Sequence, residues 1–99
     1  MAEVRWTDQS LKDVENIAEF IAQDSVRYAE IQVLRFFEAT EILKTQPKAG
    51  RMVPEIAKNT VREVILGNYR IIYRIVASDM IHIIAVHHSA RNLKNSSIK

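Results

Sequence analysis

Apolar residues fall three or four apart from Leu11 onward: Leu11, Val14, Ile17, Ala18 and Ile21. That spacing lines one face of a helix and leaves Lys12, Asp13, Glu15 and Glu19 on the other. Thr7 is a suitable N-cap, and Glu3 to Trp6 ahead of it predict a short first strand. Asp24-Ser25 breaks the pattern and offers a second cap. A longer helix is then expected to about Thr45, burying Ala29, Val33, Phe36, Phe37, Thr40 and Leu43. Two such helices with a short joint predict a helical hairpin.

Pro47 ends the second helix, Pro47 to Arg51 forms a turn, and Pro54 keeps the next stretch irregular to about Thr60. The period then changes to two. Val61 to Leu66, Tyr69 to Val76 and Met80 to His87 predict three strands. Gly67-Asn68 supplies a two-residue turn of type II′, where the first residue needs positive φ, and Ser78-Asp79 a second turn. The tail from Asn92 is polar and is expected to fray. The expected fold is α+β, one domain over residues 1–99, in the order β-α-α-β-β-β, with the helical hairpin packed on an antiparallel sheet.

The Gly67-Asn68 turn fixes a register. Leu66 pairs with Tyr69, Val64 with Ile71 and Arg62 with Tyr73 on one face. Val61 pairs with Arg74, Glu63 with Ile72 and Ile65 with Arg70 on the other. Arg70 and Arg74 therefore flank Glu63. They read either as a cationic surface for anionic groups or as cross-strand partners of Glu63. Arg62 interrupts an apolar face, as a sheet-edge anchor or as a site residue. If the second turn keeps the same parity, His87 joins the arginine face and His82 and His88 the opposite one.

Charge sharpens this picture. The formal net charge is only +2 over 99 residues. From Lys58 onward, however, Glu63 and Asp79 face Lys58, Arg62, Arg70, Arg74, Arg91, Lys94 and Lys99. The second half is a basic module suited to an anionic partner. There is no cysteine, which excludes disulfides, thiolate catalysis and cysteine-ligated zinc. His87 and His88 are adjacent and point to opposite faces of a strand, so they cannot share one ion. No phosphate-cradling loop, nucleophile elbow or dinucleotide fingerprint is present. No cofactor and no metal are expected; a lone His87 remains available for acid–base work. Trp6 reads as a strand-end anchor under the helices. No apolar run approaches the ~20 residues that span a bilayer, and the start is no signal peptide, so a cytoplasmic protein is expected.

The stretch Arg62-Glu63 … Gly67-Asn68-Tyr69-Arg70-Ile71-Ile72-Tyr73 … Ile83-Ile84-Ala85-Val86-His87-His88-Ser89-Ala90-Arg91 resembles the C-terminal half of RelE/ParE-type toxins. Trp6-Thr7 before an amphipathic helix resembles their start, and Pro47-x-x-Gly50-Arg51 their helix-to-sheet joint. The resemblance implies the toxin of a type II toxin–antitoxin system, neutralised by a cognate antitoxin protein. It also implies one of two targets. ParE-like members poison DNA gyrase; RelE-like members cut messenger RNA on the ribosome. Many of the ribonucleases carry arginine four residues before the position of Tyr69, where this chain has Ile65, and a C-terminal tyrosine, near which it has Asn95. These departures favour the ParE-like branch, with target-binding candidates Arg51, Arg62, Arg70, Arg74 and Arg91. For a ribonuclease the set available is Arg51, Lys58, Arg62, His87 and Arg91, of which Arg62, His87 and Arg91 are the catalytic candidates. Ile31, Leu34 and Ile42 are expected to be exposed on the second helix. The antitoxin is expected on the groove beside the helices and the basic sheet, with a homodimer or a toxin–antitoxin hetero-oligomer as the assembly.

Overall fold

A computed structural model describes residues 1–94. Strand β1 (Glu3–Trp6) leads into helix α1 (Asp8–Ala22), helix α2 (Val26–Ala39) and a 3₁₀ turn (Glu41–Lys44). Strands β2 (Arg51–Met52), β3 (Val61–Leu66), β4 (Tyr69–Ala77) and β5 (Met80–His88) follow. The order β-α-α-β-β-β holds, with the two-residue β2 added at the sheet edge.

Both helix starts are capped as their sequences predict. The Thr7 hydroxyl accepts from the Ser10 N–H at 3.2 Å and donates to the Ile83 carbonyl at 2.8 Å. One side chain thus caps α1 and ties it to β5. Ser25 accepts from the Tyr28 N–H at 3.1 Å. The second helix ends sooner than expected. The chain tightens after Ala39 into 3₁₀ geometry, where the Thr40 hydroxyl turns back to the Phe37 carbonyl at 3.0 Å. Leu43 remains fully buried through that change.

The sheet order is β1-β5-β4-β3-β2. The expected register of β3 on β4 is present at every pair from Val61↔Arg74 to Leu66↔Tyr69. Gly67 has φ of 57°, as the turn requires. The three hairpin-linked strands are antiparallel, as expected, and β1 joins them parallel to β5, Glu3↔Met80 through Trp6↔Ile83, so the sheet as a whole is mixed. Hairpin turns force their own strands to be antiparallel. The direction of β1 is set instead by the long connection that separates it from β5, which alternation along the strand does not report.

One correction concerns β5. Ile72 pairs with Ala85 but Tyr73 pairs with Ile83, so Ile84 is a bulge. A second irregularity lies between Ile75 and Ala77, next to the turn; the two shift the residues between them, so His82 lies opposite Arg74 on the arginine face, while His87 and His88 keep the pairing the turn predicts. His88 stays on the helix side, against the Tyr69 ring.

The sheet is covered on both sides. Val14, Phe36, Leu43, Ile71, Tyr73, Ile81, Ile83 and Val86 form the core under the helices. Trp6 packs edge-on against Phe37 at this core, as an anchor should. A smaller core on the outer face joins Val53, Val61, Ile72, Ala85 and Leu93. The irregular 53–60 segment and the stretch around Leu93 therefore cover part of that face. Against the fraying expected from Asn92, Leu93 is fully buried; the rest of that tail, 95–99, lies outside the described residues. A single apolar residue in a polar stretch was enough, because burying one leucine contributes about 1.5–3 kcal/mol.

Candidate functional site

The outer face is organised by one buried guanidinium. Arg70 is 4% exposed. Its Nε donates to Glu63 Oε1 at 2.6 Å, and Nη1 and Nη2 donate to the two Glu55 oxygens at 2.7 and 2.9 Å. Nη1 also donates to the Arg91 carbonyl at 2.9 Å. Glu55 in turn accepts from the Leu93 N–H at 3.1 Å. Buried Glu63 has its second oxygen taken by Arg51 Nε at 2.6 Å. The hydrogen bonds from Arg70 hold the Glu55 carboxyl down at about 2, against the opposing effect of its burial. The same pairing, led by Glu55, raises Arg70 further above its ordinary range.

This geometry reassigns Arg70. Its donors are spent inside the protein, so it builds the face rather than presenting a charge to a partner. Arg51 stays 61% exposed at the side chain and does present one. Arg74 and Arg91 also lie on this side or at its rim.

Arg62 lies on the other face and anchors the chain. Its Nη1 donates to the Gly50 carbonyl at 2.8 Å and the Lys48 carbonyl at 3.4 Å, and its Nε to the Asn59 carbonyl at 3.0 Å. Tyr73 completes this joint. Its hydroxyl donates to the Pro47 carbonyl at 2.7 Å and accepts from the Gly50 N–H at 3.0 Å. Burial raises the Tyr73 phenol above its ordinary range, so it stays neutral. The candidates do not form one cluster: Arg62 and Arg70 are structural, while Arg51, Arg74, His87 and Arg91 are reachable.

At the far corner, Arg91 Nη1 and His87 Nδ1 are 3.2 Å apart. Asp13 on α1 approaches from beyond the end of β1, accepting from the Val86 N–H at 3.0 Å. Burial lowers the His87 pKa, Arg91 and Arg70 lower it further, and Asp13 opposes them. The imidazole is therefore neutral at pH 7. Below about pH 6.5 the unfolded chain takes up a proton that folded His87 resists. The stability this group confers is thus present above pH 6.5 and lost as pH falls towards its folded pKa. His87→Gln is expected to show a smaller drop in urea midpoint between pH 7.5 and 5.5 than the parent.

The helices carry a different surface. A groove of about 500 Å³ runs between α1 and α2, lined by Ala18, Ala22, Val26, Ala29, Val33 and Leu34. Phe20, Val26, Tyr28 and Leu34 are exposed at 72, 63, 69 and 61%. Of the apolar positions expected to be open, Leu34 and Ile42 are exposed and Ile31 is half-buried. Sequence reasoning missed Glu55, Asp13 and Leu93, whose importance comes from distant partners rather than from any local period. Among the described residues, no group of histidines and carboxylates is arranged to hold a metal, and no helix is long and apolar enough to cross a membrane.

The model of the ParE toxin of the type II toxin–antitoxin system parDE matches residues 4–93. Toxin RelE2 of Caulobacter vibrioides is 34% identical over 91 residues, covering 92% of this chain and 99% of its own. In fold, the chain is similar to a chromosomal ParDE system from P. aeruginosa, with a TM-score of 0.72 at 20% identity over 89% of this chain and 96% of the other. It is also similar to the RelBE2 toxin–antitoxin complex of Mycobacterium tuberculosis, with a TM-score of 0.55 at 21% identity over 88% and 96%.

Proposed function

This chain belongs to the ParE toxin family of type II toxin–antitoxin systems, and from that premise we propose that it acts as a ParE-like poison of DNA gyrase, held in check by a cognate antitoxin. The commitment of Arg70 carries the first part of this reading. A metal-free ribonuclease needs cations free to stabilise the phosphate, beside a base and an acid. Here the central guanidinium of the sheet is closed off by Glu55, Glu63 and the Arg91 carbonyl. What stays accessible on the outer face suits binding better than covalent chemistry. The test is a supercoiling assay with purified gyrase. The toxin is expected to inhibit supercoiling and trap cleaved DNA; normal supercoiling at excess toxin would remove the proposal.

One observation favours a second reading. Neutral His87 beside Arg91 pairs a base with a cation. A ribosome-dependent ribonuclease would use that pair, with activity lost in His87→Ala. Cleavage of messenger RNA in a translation mixture that lacks gyrase would favour it.

The groove between α1 and α2 supports the antitoxin part. Its rim carries Glu19 and Glu30 around an apolar floor. It therefore fits an amphipathic helix with an apolar stripe and basic flanks. Leu34→Glu would place a carboxylate against that stripe, where burial without a partner costs several kcal/mol. Antitoxin affinity is expected to fall at least about tenfold, while the exposed position leaves the melting temperature nearly unchanged. Titration calorimetry measures the first and thermal unfolding the second.

A further inference from the structure

Three N–H donors converge on one carboxylate of the outer face. Arg70 Nη2 donates to Glu55 Oε1 at 2.9 Å, while Arg70 Nη1 and the Leu93 N–H donate to Glu55 Oε2 at 2.7 and 3.1 Å. The Arg70 fork is aimed without help from Glu55. Its Nε is held by buried Glu63 at 2.6 Å, and its Nη1 also donates to the Arg91 carbonyl at 2.9 Å. The charge of Glu63 is met from its other oxygen by Arg51. Glu55 itself arrives from the irregular stretch between β2 and β3. That stretch closes with a bond from the Ala57 N–H to the Val53 carbonyl at 2.8 Å and holds Ala57 at a φ of 55°, in the left-handed region that alanine disfavours. The loop backbone does not by itself favour the turn that delivers Glu55.

A cavity of about 360 Å³ lies against this carboxylate, walled by Pro54, Glu55, Arg70, Ser89, Arg91 and Lys94. Arg91 and Lys94 are exposed, and among the described residues neither is paired with a carboxylate; the Arg91 guanidinium instead meets neutral His87. The wall thus sets the cations Arg70, Arg91 and Lys94 against Glu55 alone.

We propose that this cradle is a binding site for a phosphate group, and that Glu55 occupies it as an internal stand-in. A planar carboxylate uses the Arg70 fork and the Leu93 N–H and leaves Arg91 and Lys94 unanswered. A tetrahedral dianion takes the same donors and directs its remaining oxygens to those two side chains. The surplus of positive charge therefore selects phosphate over a second carboxylate. Phosphate enters by exchange: Glu55 swings out to solvent with its loop, and Glu63 keeps the guanidinium in place. The site does not depend on whether gyrase or the ribosome is the target.

The experiment uses the full-length protein and inorganic phosphate, compared with sodium chloride at equal ionic strength. Glu55→Ala empties the cradle and lowers the melting temperature. About 10 mM phosphate is expected to restore about 3–5 °C of that loss, against less than about 1 °C in the parent. Phosphate should also slow hydrogen exchange at the Leu93 amide of the variant, which a general salt effect on stability would not single out. Calorimetry should give Glu55→Ala at least about tenfold higher phosphate affinity than the parent, where Glu55 must first leave. Glu55→Gln supplies the same comparisons if the alanine variant does not fold. Adding Arg91→Gln/Lys94→Gln, at exposed positions, should remove most of the phosphate gain, and acetate should give little. A 5′-phosphorylated dinucleotide separates the sources: tighter binding than free phosphate assigns a nucleic-acid terminus, and equal binding assigns the free ion. No phosphate gain in the Glu55 variants, an equal gain in the parent, an equal effect of acetate, or a gain that survives Arg91→Gln/Lys94→Gln would each overturn the proposal.

Discussion

Arg70→Ala is expected to destabilise the domain by about 3–5 kcal/mol, because it strands two carboxylates that Arg70 alone brings together. Glu63 is fully buried, and Glu55 is 15% exposed at its side chain. Without the guanidinium, Glu63 retains its bond from Arg51 and Glu55 its bond from the Leu93 N–H, but each loses its buried cationic partner. The Arg91 carbonyl loses its donor as well. The loss therefore reaches the tail, and amide exchange at Leu93 should quicken by more than at helix α1. Arg70→Met is expected to cost as much or more, since it fills space without answering either charge. Arg70→Met/Glu55→Gln/Glu63→Gln should recover part of the loss, because neutral amides tolerate the site better than orphaned carboxylates. Acid provides an independent check. Glu55 is held at about 2, below the unfolded value of 4.5. A depressed carboxylate stabilises the fold above its unfolded pKa and stops doing so as pH falls to the folded one. Stability should decline between pH 4.5 and 2 in the parent, and Glu55→Gln should flatten that decline. A parent and a variant with the same acid profile would show that the Arg70–Glu55 pair contributes nothing to the fold.

The same residues explain which parts of the molecule are legible from sequence. The helices declare themselves through Leu11, Val14 and Ile17 and through the caps Thr7 and Ser25, all of which act within one or two turns. The β3–β4 register follows from Gly67-Asn68, because a two-residue turn leaves no freedom in pairing. The direction of β1 and the irregular pairing of β4 with β5 are not legible. Each depends on how elements far apart in sequence meet, and neither changes the local alternation of apolar and polar residues. The face of His82 depends on the two irregularities between β4 and β5, at Ile84 and next to the turn. Arg70 and Arg74 look alike in sequence, two arginines on one face of one strand. Glu55, fifteen residues before Arg70, decides that the first is internal. No periodic signal marks a carboxylate in an irregular loop. Arg62 stood between two readings in sequence, and the carbonyls of Lys48 and Gly50 give it the anchoring one.

Gly50→Ala is expected to cost about 3 kcal/mol or more, although it adds one carbon. A Cβ on Gly50 would overlap the backbone carbonyl oxygen of Glu63 and come within 2.7 and 2.8 Å of the Tyr73 ring edge and hydroxyl. Neither neighbour can give way cheaply. The Glu63 carbonyl belongs to β3, whose side chain holds Arg51 and Arg70 on the opposite face. Tyr73 is fully buried, and its hydroxyl bridges the Pro47 carbonyl and the Gly50 N–H. Moving the ring breaks that bridge and leaves buried polar groups unpaired, at about 1–3 kcal/mol, while overpacking adds about 1–3 kcal/mol. Alanine narrows the unfolded ensemble, but that gain is only about 0.4–1 kcal/mol and loses to the clash. Relieving the ring should recover part of the loss. Tyr73→Phe alone removes the bridge and is expected to cost about 1–2 kcal/mol. Combined with Gly50→Ala it should cost less than the sum of the two changes, since both act on one contact. Urea denaturation of the two single variants and the double variant measures that coupling. Full additivity would mean that the ring does not enforce the glycine, and that the backbone of β3 does so alone.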